Sequence, residues 1–152
     1  MSTLPRIQIV PLYQVPARDE VIEPKAEKPL ALVVDDERVI ADTLSIILAR
    51  KGFATMTAYD GENALRMAAM NSPDVLLSDV MMGPGIDGVE LAMAVTHDCP
   101  DCRVLLFSGH SGTYELLQKA RAAGHDFPLL PKPLHPEELL VRVSTLMEMS
   151  AA

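Results

Sequence analysis

The chain contains no Trp and only three Phe and three Tyr in 152 residues, so its core must be built from Val, Leu, Ile, Ala and Met. Apolar residues make up 49%. A domain of roughly 120 to 150 residues buries about two-thirds of its unfolded surface, so no staple is required. Cysteine is scarce. The two present form "CPDC", Cys99 to Cys102. A redox pair of this spacing opens a helix, whereas this one closes a helix and leads into a strand, and a structural zinc site needs a second, separated ligand pair. They read as ordinary loop thiols. No apolar run approaches the length of a membrane span. Pro5, Pro11 and Pro16 interrupt the mildly apolar start, so no signal peptide is expected and the cytoplasm is the expected compartment. A basic stripe is also missing. Lys and Arg number 13 against 21 acids, for a net charge of −8, which lacks the electrostatic footprint of a nucleic-acid binder.

Two regions stand out. Residues 1–29 hold Pro5, Pro11, Pro16, Pro24 and Pro29, no Gly, and equal numbers of acids and bases. They read as an extended or disordered extension, although "RIQIVPLYQV" has some strand character. Residues 30–152 carry the whole negative charge and form one domain.

Within that domain, short apolar runs alternate with helical patterns. "LALVV" suits a strand covered on both faces. "ERVIADTLSIILARKG" predicts a helix with Val39, Ile40, Thr43, Leu44, Ile47 and Leu48 on one face, closed by Gly52. "FATMTA", "DVLLS", "RVLLFS" and "FPLLPK" supply four more strands. "GENALRMAAMN", "DGVELAMAVTH", "TYELLQKARAAG" and "PEELLVRVSTLMEM" supply four more helices, the last with Pro136 at its first position. Five strands alternating with five helices predict an α/β fold: a doubly wound parallel sheet with right-handed crossovers. Ligands of such sheets bind beyond the carboxyl ends of the strands.

The strand ends therefore matter most. The first stops at Asp35 and Asp36, the third at Asp79, the fourth at Ser108 and Gly109, and the fifth at Lys132 and Pro133. Any one has a bland reading: an Asp after a strand is often a helix cap, and a lone Lys is usually a solvated charge. Together they put three carboxylates, a hydroxyl and an ammonium on one rim. Three close acids repel unless a cation intervenes, and oxygen ligands suit a hard ion such as Mg²⁺, which readily shares a phosphate. Lys132 and Ser108 are suitable donors to phosphoryl oxygens. The rim reads as a phosphoryl-transfer site with a carboxylate acceptor. No glycine-rich phosphate loop follows the first strand, which weakens a nucleotide-binding reading.

"VVDDE", "LLSDVMMGPGIDG", "LLFSGH" and "LLPKPLHPEEL" resemble the response-regulator receiver domain of two-component signalling, over residues 30–149. The resemblance implies a flavodoxin-like (βα)5 fold with strand order 2-1-3-4-5. It makes Asp79 the phosphoacceptor, served by a sensor histidine kinase or a histidine phosphotransfer protein. It has Asp36 hold Mg²⁺ directly, Asp35 largely through water, and the Met81 backbone carbonyl as a further ligand. Lys132 would pair with the phosphoryl group, Ser108 would shift to hydrogen-bond it, and the Lys132–Pro133 peptide would be cis. The sequence departs from the family in the spacing of Asp79 and Asp87, which are eight residues apart where seven is usual. Leu129 stands where many receivers carry a switch Tyr or Phe. Met81 and His110, each two residues past a motif position, would tune access of hydrolytic water.

The resulting expectation is a stand-alone receiver that signals by phosphorylation-dependent binding to an unknown downstream protein, through the fourth helix, fifth strand and last helix. No direct nucleic-acid or membrane contact is expected, and a homodimer is left open. A phosphohydrolase with an Asp nucleophile is a second class, but it would want a carboxylate where Met81 stands. A non-phosphorylated interaction module is a third, and a piece of a larger hybrid protein with a Pro-rich linker is a fourth.

Overall fold

A computed structural model describes residues 28–149. The expected extension, residues 1–29, lies outside the described residues except for Lys28 and Pro29. The elements run β1 (Leu30–Val34), α1 (Arg38–Arg50), β2 (Ala54–Ala58), α2 (Gly61–Met70), β3 (Val75–Asp79), α3 (Gly88–Asp98), β4 (Arg103–Ser108), α4 (Thr113–Ala122), β5 (Leu129–Pro131) and α5 (Pro136–Met149). All five strands pair in parallel in the order β2-β1-β3-β4-β5. The expected fold and strand order are both found.

Side chains alternate across a strand, so each continuous apolar run serves two cores. Leu32, Val34, Leu76, Val104 and Leu106 face α2, α3 and α4, against Ala64, Ala68, Leu91 and Val95. Ala31, Val33, Leu77, Leu105 and Phe107 face α1 and α5, against Leu44, Leu48, Leu139 and Val143. Each large side chain buried this way contributes roughly 1.5 to 3 kcal/mol. The resulting slab needs no cross-link. Cys99 and Cys102 are free, and burial pushes the Cys102 thiol up to about 12, which keeps it protonated and inert.

Two details differ from expectation. The buried stripe of α1 is Ala41, Leu44, Ser45 and Leu48, while Val39 is 77% exposed and Thr43 is exposed. In this orientation Ser45 turns inward and shares a 2.7 Å hydrogen bond with Thr57 of β2. Val39, Thr43 and Ile47 instead line a hollow of about 290 Å³ beside Lys132, Pro133 and Leu134. In addition, β5 covers only Leu129–Pro131, because the sheet register pairs just three of its residues with β4.

The register sets the working edge. Asp79 pairs with Phe107, and Ser108 pairs with Pro131, so β1, β3, β4 and β5 all stop at one rim. No helix of the described residues is long and apolar enough to cross a membrane.

Candidate functional site: an acidic rim with one lysine

At the end of β1, Asp35 is fully buried and Asp36 is exposed. Neither caps α1. The N-cap is Glu37, which makes no side-chain cap bond. Asp35 Oδ1 instead accepts the Glu37 N–H at 2.9 Å, and its Oδ2 accepts from Lys132 Nζ at 3.2 Å. Lys132 also lies 3.3 Å from Asp79 Oδ2 and 3.8 Å from Glu37 Oε1. Its ammonium sits over the Phe107 ring, 5.6 Å from the centroid. Ligand oxygens of Asp35, Asp36 and Asp79 all come within 4.8 Å of one another.

One ammonium among three carboxylates leaves the cluster short of positive charge. Burial, then the charge of Asp35, raises Asp79 to about 6. Burial also raises Asp35, with its bonds to Glu37 and Lys132 opposing. For Lys132, burial pulls downward, but the charges of Asp79 and Asp35 outweigh it and the net shift is upward. The deficit is what a divalent cation would neutralise, and the donor set of hard oxygens fits Mg²⁺.

On the other flank, Ser108 is 6% exposed. Its Oγ accepts the His110 N–H at 3.0 Å and shares a 2.5 Å hydrogen bond with Thr113 Oγ1. The His110 side chain itself is exposed, as is Met81 at 38%. Leu129 is half-buried against the core on the α2–α4 face. The Lys132–Pro133 peptide is cis, as the resemblance implied.

The inserted loop after Asp79 is tied at both ends. Gly88 N–H donates to Val80 O at 2.8 Å, and Asp87 caps α3 in a capping box with Glu90. Just before Asp87, Ile86 N–H donates to Glu62 Oε2 at 3.1 Å. Gly83 and Gly85 carry φ of +76° and +100°, the left-handed region that glycine enters freely. A Cβ on Gly83 would lie 3.7 Å from Asp36 Oδ2, so the loop passes beside that carboxylate.

The structure thus brings Asp35, Asp36, Asp79 and Lys132 together, with Ser108 on the same rim. Sequence reasoning missed Glu37, Glu62 and Thr113. Glu37 stood inside the quoted "VVDDE", two residues from an acid that turns to meet its N–H. Thr113 was visible only as a hydroxyl in the first turn of a helix, and Glu62 gave no signal.

A doubly wound sheet with an acidic rim and a lone lysine defines an α/β domain whose rim offers hard oxygen donors beside an ammonium. Comparison with known proteins gives the family. Residues 31–144 match the response regulator receiver domain, and the chain belongs to that family. It is 36% identical over 116 residues to the response regulator MprA of Mycobacterium ulcerans, covering 76% of this chain and 49% of the relative. The chain spans about half the length of the curated relatives it matches. Among solved structures, the receiver domain of the Francisella response regulator 1452 aligns with TM-score 0.68 and 30% identity, over 80% of this chain and 98% of that one. A CheY-like receiver domain protein from Methanospirillum hungatei aligns with TM-score 0.73 at 20% identity, over 82% and 97%, which shows the fold alone. Receiver domains are signalling domains of two-component systems that take phosphoryl groups from histidine kinases and bind Mg²⁺ at an acidic pocket.

Proposed function

We propose that this domain accepts a phosphoryl group on Asp79, in a Mg²⁺-dependent reaction, and reports it through a change in protein–protein binding. The observation that carries the reading is Asp79 itself: a carboxylate at the end of β3, 3.3 Å from Lys132 and within a three-acid cluster. Near pH 7 it is largely ionised, hence nucleophilic, despite burial. An Asp79 oxygen forms a bond to phosphorus as the donor's phosphorus–nitrogen bond breaks, and the electron pair leaves with the imidazole nitrogen of a phosphohistidine. Asp35, Asp36 and the Met81 backbone carbonyl would hold Mg²⁺ together with Asp79. When bound, the ion supplies charge neutralisation to the phosphoryl oxygens. Lys132 pairs with those oxygens, and Ser108 donates to one of them. Asp35 orients Lys132 and is not itself the acceptor.

The donor is a sensor histidine kinase or a histidine phosphotransfer protein, and the setting is the cytoplasm. The output surface lies on α4, β5 and α5, where Tyr114 and Val141 are 65% and 62% exposed. Incubation with Mg²⁺ and acetyl phosphate should give an acid-stable, base-labile mass gain that Asp79→Asn abolishes. Absence of any mass gain in the wild-type chain would sink the proposal, and turnover of many donors per chain would favour a hydrolase.

A further inference from the structure

Ser108 and Thr113 form an isolated hydroxyl pair. Thr113 is the first residue of α4 and is 3% exposed. Among the described residues its hydroxyl has one hydrogen-bond partner, Ser108 Oγ at 2.5 Å. α4 is otherwise loosely begun: its N-cap is Gly112, with no side-chain cap bond. The Ser108 hydroxyl accepts from the His110 N–H as well, so both ends of the β4–α4 loop meet on one oxygen. At the position where many receivers couple the site to the surface with an aromatic ring, this chain has Leu129, which offers no hydrogen bond.

We propose that Thr113 is a positioning residue that ties the Ser108 hydroxyl to the first turn of α4. The inference rests on the phosphoacceptor reading above. When Ser108 turns to donate to a phosphoryl oxygen on Asp79, Thr113 has two outcomes. Its buried hydroxyl loses its partner, which is unfavourable, or it follows Ser108 and carries the start of α4 along. In the second case Thr113 donates to Ser108, Ser108 donates to the phosphoryl group, and the two bonds polarise each other in the same direction. With no cap bond to break, the first turn of α4 is free to make that adjustment. The hydroxyl pair then does the coupling that Leu129 cannot.

The test uses the full chain with Mg²⁺ and beryllofluoride, a phosphoryl mimic, and reads amide hydrogen exchange over residues 113–116. In the wild type, the mimic should change exchange in this turn. Thr113→Val keeps the shape and removes the hydroxyl. It should still take up the mimic in a Mg²⁺-dependent way, with the α4 response lost. Thr113→Ser restores the hydroxyl and should restore the response. A full α4 response in Thr113→Val would overturn the proposal. So would a lost response in Thr113→Ser, which keeps the test decisive if the Val variant does not fold. Failure of the wild type to bind the mimic at all would bring down the phosphoacceptor reading itself, and this inference with it.

Discussion

The two loops that flank Asp79 are built differently. The loop from Val80 to Asp87 is fastened where it runs into α3, by Gly88 to Val80, by Ile86 to Glu62, and by a full capping box at Asp87 and Glu90. The loop from Gly109 to Gly112 leads into a helix with no side-chain cap, and its main side-chain tie is the Ser108–Thr113 pair. One flank is tied at both ends, which suits the ion-binding role proposed for the Met81 carbonyl, since ligands held in place need no reordering when the ion arrives. The other is held through one hydroxyl, Ser108 Oγ, which meets the His110 N–H and Thr113 Oγ1. On the proposed function, a site that holds an ion and also transmits a change would divide these tasks between its two sides.

The most severe way to break the contrast is to disturb the fastened side from beneath. A Cβ on Gly88 would lie 2.1 Å from the Asp79 carbonyl oxygen, a backbone atom that cannot move aside cheaply. Gly88→Ala should therefore cost about 3 kcal/mol or more in urea unfolding. A loss under about 1 kcal/mol would show that the close approach of α3 to β3 is not tightly held.

Next in size is the charge imbalance shared by both flanks. Burial holds the Asp79 carboxyl at about 6 in the folded chain against an ordinary 3.8, so between these limits the folded chain binds more protons. Stability from this group is therefore fully present below about 3.8 and lost as pH rises through about 6. Asp35 is shifted the same way and adds to it, while Lys132 acts only at alkaline pH. Without metal, the melting temperature should rise from pH 7 to pH 5, by an effect on the order of 2 kcal/mol. Saturating Mg²⁺ should flatten that dependence by stabilising the ionised cluster at pH 7. Equal slopes with and without Mg²⁺ would mean that the ion does not sit on these acids.

Most of this was legible in the sequence for a physical reason. Strands covered on both faces must be continuously apolar, so their ends, and the charges there, are sharply marked. The five strand-end residues Asp35, Asp36, Asp79, Ser108 and Lys132 could be found that way. What was not legible depends on contacts rather than on period. The core face of α1 is turned so that a polar residue, Ser45, shares a hydrogen bond with the half-buried Thr57 hydroxyl on β2, which no hydrophobicity pattern records. Glu62 meets Ile86 only because the inserted loop, with its two left-handed glycines, bends toward α2. The extra residue was visible, but its path was not.

That path suggests a milder test of the fastened side. The Glu62 carboxylate contributes one exposed hydrogen bond to the loop, worth about 1 kcal/mol. Glu62→Ala should weaken Mg²⁺ binding by about fivefold in calorimetry while leaving the fold intact. Unchanged affinity would mean that Gly88 and the capping box alone hold the Met81 carbonyl in place.

The smallest effect concerns the rates at which the two flanks let water in. Met81 stands 38% exposed on the fastened side, and the His110 ring is exposed on the mobile side. A thioether is a weak acceptor and holds no water near the phosphoryl group, whereas an amide both donates and accepts. Met81→Asn should therefore shorten the half-life of the phosphorylated chain. Removing the ring in His110→Ala takes away a group that can orient water, and should lengthen it. Both changes should be smaller than the effect of Glu62→Ala on the metal, because each side chain acts on a water it shares with bulk solvent. If the comparison of the two loops is right, the Met81 effect is the steadier of the two. Met81 lies in the loop with the more ties, while His110 lies in the loop that would follow Ser108. Lifetimes unchanged in both variants would place control of hydrolysis on neither flank, and leave it to Lys132 and the acids.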